Sequence, residues 1–225
     1  MKERYERNIG AISQAEQELL AGKRALIAGC GGLGCYAAEF LARLGIGHLS
    51  LIDGDVFTAS NLNRQLYSLE TNLGKSKTLE AKKRLLKIRA DLQIDTSDLL
   101  IDNENAAGLL KGHDIIIDAM DNIKTRLLLE KTASNLGIPL IHGAVEGWNA
   151  QVTVVLPGDF TLSKFYPPDL EFDRPSVLSF APAFCASIQA AEAVKVLLGR
   201  EKNLRSKLLT IDLLSNSFEF VDLAQ

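Results

Sequence analysis

Arg24-Ala-Leu-Ile-Ala-Gly29-Cys30-Gly31-Gly32-Leu33-Gly34, an apolar stretch to Leu44, and His48-Leu-Ser-Leu-Ile-Asp53-Gly54-Asp55 decide the fold. Residues 25 to 28 are a short apolar run bounded by glycine, the pattern of a parallel strand buried on both faces. Gly29, Gly31 and Gly34 follow at G-x-G-x-x-G spacing. In such a loop the first glycine permits a tight turn and the second lets backbone approach a phosphate. The third lets the next helix pack closely on the strand. Leu33, Tyr36, Ala37, Phe40, Leu41 and Leu44 then recur at helical spacing, predicting a helix over 32–44. The free N–H groups of its first turn make an anion site. A second strand, 48–52, ends in Asp53, about twenty residues past the glycines, where such folds bond a ribose hydroxyl. A glycine turn kept only for packing would leave Asp53 and Asp55 unexplained.

The pattern continues as alternating strands and helices. A long basic helix runs from Gly74-Lys75-Ser76-Lys77 to about Ala90, with a strand over 92–101 and a short helix near Asn105 to Leu110. Asp114-Ile-Ile-Ile-Asp118 is a buried strand, residues 123–136 are a helix stopped by Gly137, and 138–144 are another strand. Residues 151–156 alternate as an antiparallel strand does. Residues 159–179, with Pro167, Pro168 and Pro175, read as a loop or lid. A buried helix over 183–198 and strands at 208–212 and 218–222 close the chain. The fold class is therefore α/β: a Rossmann-like parallel sheet with helices on both faces, extended by antiparallel strands in the C-terminal part. Ligands in such sheets bind beyond the carboxyl ends of the strands. The glycine loop, Asp53, Asp118 to Asn122 and Gly143 should converge there on one crevice.

The 225 residues carry 25 Lys and Arg against 28 Asp and Glu, a net charge of −3, so no global field draws nucleic acid or an anionic membrane. No apolar run is read as membrane-spanning, and Met1 to Arg7 lacks a signal-peptide core, which points to the cytoplasm. Three cysteines without a C-x-x-C pair fit a reducing compartment and give no ground for a zinc site. Cys30 and Cys35 flank the glycines as packing residues, and Cys185 lies in an apolar helix. His48, His113 and His142 are scattered and carry no expected metal or base role. Residues 1 to 22 form a charged arm with Arg4 and Arg7, then a helix from Ile12 to Leu20.

Several polar residues fall where chemistry would need them. Ser60-Asn61-Leu62-Asn63-Arg64-Gln65 follows the ribose acid, and the planar fork of Arg64 suits phosphates. Lys77, in the first turn of its helix, opposes the dipole and asks for an anionic partner. Lys82, Lys83 and Lys87 read as a solvated face, and Glu80 with Arg84 as an i,i+4 pair. Two cations with Asp121 suit a triphosphate and Mg²⁺ better than the pyrophosphate of a dinucleotide. No nucleophile with an adjacent base stands out, and phosphate chemistry needs little of that.

Together, Arg4-Tyr5-x-Arg7, the glycine loop, Asp53-x-Asp55, Ser60-Asn61-Leu62-x-Arg64-Gln65, Gly74-x-x-Lys77, Asp118-x-x-Asp121-Asn122 and Gln189-Ala-x-Glu192-Ala-x-Lys195 resemble the ThiF/MoeB/HesA family, bacterial relatives of ubiquitin-activating enzymes. The resemblance spans nearly the whole chain. It implies one adenylation domain over 1–225: an arm and helix to residue 22, a nucleotide-binding half over 23–145, and a part over 146–225 with a crossover loop at 159–180. It implies adenylylation of the C-terminal glycine of a ubiquitin-like sulfur carrier with Mg-ATP, for thiamine or molybdopterin-type synthesis. By the same resemblance, Gly29, Gly31, Gly32, Gly34, Asp53, Asp55, Gln65, Asp118 and Asn122 bind the nucleotide. Asn61, Arg64 and Lys77 contact the phosphates, and Asp121 holds magnesium. Arg7 reaches into a partner's site, implying a homodimer, and a cysteine desulfurase or other sulfur donor is a further partner. The chain departs from the family at Thr161-Leu-Ser-Lys164, where many members begin a zinc site, and has no cysteine over 159–180 for a covalent relay. A nicotinamide-dependent oxidoreductase and a catalytically silent partner subunit are the alternative readings.

Overall fold

The computed structural model describes residues 3–167 and 176–223. Its eight strands form one sheet in the order β3-β2-β1-β4-β5-β6-β7-β8. They are β1 (Arg24–Ala28), β2 (His48–Ile52), β3 (Gln93–Ser97), β4 (Ile115–Asp118), β5 (Leu140–Glu146), β6 (Asn149–Val155), β7 (Lys207–Asp212) and β8 (Ser217–Asp222). The first five pair in parallel and the last three antiparallel. The seven α-helices are α1 (Gln14–Ala21), α2 (Gly32–Leu44), α3 (Lys77–Ile88), α4 (Ala106–Leu110), α5 (Ile123–Leu136), α6 (Leu162–Phe165) and α7 (Phe180–Leu197). Two apolar cores result. One lies under α2, α3 and α7 and the other under α4, α5 and α6, with Ile27 and Ile117 turned to the first and Leu26 and Ile116 to the second. The expected architecture holds, with shorter ends: the strand read over 92–101 spans only Gln93–Ser97.

Local chemistry sets the ends. Ser13 caps α1 through a reciprocal box with Glu16, so the helix starts at Gln14 rather than Ile12. Asn122 caps α5 by accepting from Thr125 N at 2.8 Å. Glu80 pairs with Lys83, while Arg84 turns to Glu39 on α2, and Lys82 donates to the Ile94 carbonyl. Tertiary partners thus replace the expected i,i+4 pair. By length and composition α7, with 18 residues, could cross a membrane, contrary to the reading that no run was long enough. Here it packs on α2, β5 and β6 as the central helix of one face.

The segment read as a lid is in part a plug. Leu162 is wholly buried, and Glu130 on α5 accepts from Leu162 N and from the backbone and hydroxyl of Ser163. Pro168 and Pro175 lie outside the described residues.

The glycine loop is fixed by contact with backbone. A Cβ on Gly29, at φ +94°, would stand 2.7 Å from the Ala119 carbonyl oxygen, and one on Gly34 would overlap the Gly29 carbonyl. Gly34→Ala must lift α2 off β1. At an overpacking cost of about 3 kcal/mol, the thermal midpoint should fall by roughly 6–12 °C. An unchanged midpoint would contradict this close approach.

Candidate active site

The strand order turns back between β1 and β4, so their carboxyl ends open a crevice at the switch point. Gly31 caps α2 without any side-chain hydrogen bond, leaving the first N–H groups of the helix free for an anion. Asp53, at the end of β2, braces the loop. One oxygen accepts from Cys30 N at 2.7 Å and the other from Asp55 N at 2.9 Å. Burial raises its pKa above the ordinary carboxylate range, against the pull of Lys77 and these two N–H groups. Lys77 is buried with its ammonium 2.8 Å from Asp55 and 3.8 Å from Asp53, so the anion it needs against the α3 dipole is supplied within the chain.

Around the loop, the Arg64 side chain passes 3.8 Å from the position a Cβ would take on Gly32, with its guanidinium on Ser60 O and Asn63 Oδ1. Gln65 is buried beside Gly31, and its Oε1 lacks a donor. A buried acceptor left this way fits a hydroxyl or amino group of a bound nucleotide. Asn61 is buried, and its Oδ1 closes the turn by accepting from Thr58 N. Asp121 and Asn122 are exposed on the loop after β4, which touches Gly29 through Ala119. Among the described residues no three His, Cys, Asp or Glu side chains gather as a metal site. Asp121 therefore fits magnesium only as one ligand beside phosphate oxygens, which is how that ion is commonly held.

Asp118, expected at the nucleotide, and Arg7, expected in a partner's site, both stand away from this crevice. Asp118 is fully buried; its Oδ2 accepts from His142 Nδ1 at 2.7 Å and its Oδ1 from Met120 N at 3.0 Å. It shapes the crevice wall and does not face it. Arg7 lies in a 3-10 helix, Glu3–Asn8, held where Asn8 and Gln17 bond the Leu44 carbonyl. That is the far end of α2, and a helix of 13 residues puts it about 20 Å from the glycine loop.

Behind Asp121 opens a cavity of about 440 Å³, lined among others by Arg126, Glu146, Gln151, Tyr166, Asp212 and Glu219. Arg126 binds the Met120 carbonyl through Nε and Nη2 and the Tyr166 hydroxyl through Nη1, at 3.1 Å. Tyr166 also meets His142 Nε2 at 3.2 Å and the Gln151 amide. The loop 118–122 is thus one wall shared by the nucleotide crevice and this cavity.

The ThiF family model matches residues 5–225. The chain belongs to the ThiF family. It is 36% identical to the molybdopterin-synthase adenylyltransferase of Haemophilus influenzae, over 93% of this chain and 89% of that protein. It is 33% identical to the sulfur carrier protein adenylyltransferase of Thermus thermophilus, over 96% and 85%, and 32% identical to the SAMP-activating enzyme E1 of Haloferax volcanii, over 97% and 84%. Among solved structures, Escherichia coli MccB with ATP superposes with a TM-score of 0.85 at 23% identity, covering 100% of this chain and 73% of that one. At that identity the likeness establishes the fold.

This ThiF-family chain has no exposed thiol. Cys30, Cys35 and Cys185 are all buried. Burial pushes the Cys185 thiol up to about 12 and raises the other two strongly. Since the thiolate is the reactive form, none should react with a maleimide in the folded protein within minutes, and all three should react in denaturant. One thiol labelled at once under native conditions would contradict this placement. His142 and Tyr166, absent from the expected site, were hidden because each is unremarkable alone; only the fold sets them against Asp118.

Proposed function

We propose that the chain is an ATP-dependent adenylyltransferase that activates the C-terminal glycine carboxylate of a ubiquitin-like sulfur-carrier protein, for thiamine or molybdopterin-type synthesis. The observation that carries this reading is the shared wall, with an anion-binding helix start on one side of loop 118–122 and a cavity on the other. A nucleotide on the first side and a peptide end on the second would meet at Asp121. The printed names of the relatives, adenylyltransferases among them, support it. They give no support to a nicotinamide oxidoreductase.

In this reading the carrier's carboxylate oxygen attacks the α-phosphorus, the bond to the β-phosphate breaks, and pyrophosphate leaves. The protein supplies position and charge, not a nucleophile. The glycine loop and α2 start hold phosphate, and Asp53 and Gln65 face the nucleoside. Arg64 is open to the crevice, and Lys77 becomes a phosphate ligand by exchanging Asp55 for a phosphate oxygen. Magnesium held by Asp121 and the phosphates would neutralise charge on the leaving group. Asn61 and Asn122 serve by shaping the turns around these residues. The buried thiols fit a cytoplasmic setting. Thr161 and Lys164 leave no thiolate pair for zinc, and sulfur would come from a separate donor.

The far position of Arg7 supports a homodimer in which this guanidinium serves the partner's triphosphate. Pyrophosphate exchange into ATP should require a carrier ending in Gly-Gly; nicotinamide binding without ATP binding would overturn the reading. Arg7→Ala and Lys77→Ala should each lose exchange by roughly a hundredfold. Mixed and allowed to exchange subunits, the two variants should regain activity, because a mixed dimer holds one complete site. A mixture as inactive as either variant would place Arg7 outside the site.

A further inference from the structure

Adenylation moves no proton, yet the cavity beside Asp121 is backed by a buried chain of proton-bearing groups. Tyr166 lines the cavity and is 6% exposed. Arg126 can only donate to its oxygen, and the Gln151 amide nitrogen donates as well. The phenol's own proton is left for His142 Nε2. His142 must then carry its ring proton on Nδ1 and donate it to Asp118 at 2.7 Å. The chain runs Tyr166 to His142 to Asp118, and the last two are wholly buried. Such an arrangement can accept a proton from a group in the cavity, with the Asp118 charge stabilising the imidazolium formed.

No thiol of this chain is placed to take over the activated acyl group, since all three are buried. Whatever accepts it must enter from outside. Among the described residues, Asp121, Glu146, Asp212 and Glu219 line the cavity against one cation, Arg126, whose fork is occupied by Met120 and Tyr166. That field draws an ammonium. An amine is also the nucleophile that needs a base, whereas thiols ionise readily near neutral pH.

We propose that the chain has a second activity: direct transfer of the acyl group from the adenylate to a primary amine, with Tyr166, His142 and Asp118 as the proton relay. This rests on the adenylation reading above. The incoming ammonium first loses one proton to solvent. The amine lone pair then forms a C–N bond to the acyl carbon, and the C–O bond to AMP breaks, AMP leaving with that electron pair. The Gln151 amide gives up its place on the Tyr166 oxygen to the attacking nitrogen, whose proton passes to that oxygen as Tyr166 gives its own to His142 Nε2. The products are an amide and AMP, and the relay returns its proton to solvent.

The test is a single-turnover chase. The enzyme is loaded with carrier and ATP, the bound adenylate is confirmed by mass, and it is chased with Nα-acetyl-lysine methylamide or with sodium hydrosulfide. The wild-type chain should form the carrier–lysine amide. In Tyr166→Phe and in His142→Gln the ratio of amine rate to hydrosulfide rate should fall roughly a hundredfold. Equal loss with both nucleophiles would show a structural role and overturn the proposal, as would a wild-type adenylate that hydrosulfide consumes and the amine does not. A wild-type chain that forms no adenylate would overturn the adenylation reading itself, and this proposal with it.

Discussion

The seating of α2 on β1 governs the rest of the molecule. Gly34 faces the Gly29 carbonyl with no room for a side chain, and Gly29 turns at positive φ against Ala119. Those contacts fix three things at once: the start of α2, the carboxyl end of β1, and the loop after β4. Asp53 adds a fourth by bonding Cys30 N. The free start of α2, the acid Asp53 and the wall bearing Asp121 are therefore set by backbone packing rather than by long side chains. Such packing costs no reorganisation when a nucleotide arrives.

Charge is arranged around that frame in two ways. Lys77 opposes the α3 dipole and is neutralised by Asp55 and Asp53. Deep in the sheet, Asp118 is satisfied by His142 and Met120 N, while burial pushes His142 below the ordinary histidine range against the pull of that carboxylate. Arg126 spans from the Met120 carbonyl to Tyr166 and so ties the wall loop to the segment after α6. The crevice and the cavity consequently share a rigid partition.

Much of this was legible in the sequence, for identifiable reasons. The runs at 25–28 and 115–117 are apolar because both sheet faces are covered, and glycines at 29, 31 and 34 mark the loop at fixed spacing. What escaped depends on distant partners. Asp118 ends a strand at the crevice, and its position alone suggested a ligand contact; its side chain instead turns inward to a histidine on β5. His142, Arg126 and Tyr166 lie on different elements, and no spacing rule links them. Arg84 found Glu39 across two helices rather than Glu80 along its own.

The claim on which all of this turns is attack of a carboxylate on the α-phosphorus within the partitioned site. It is tested by following oxygen. A carrier whose C-terminal carboxylate bears ¹⁸O should, after activation and release, pass one labelled oxygen to AMP and none to inorganic phosphate. Label in orthophosphate with ADP as the nucleotide product would mean attack at the γ-phosphorus, and would contradict the account.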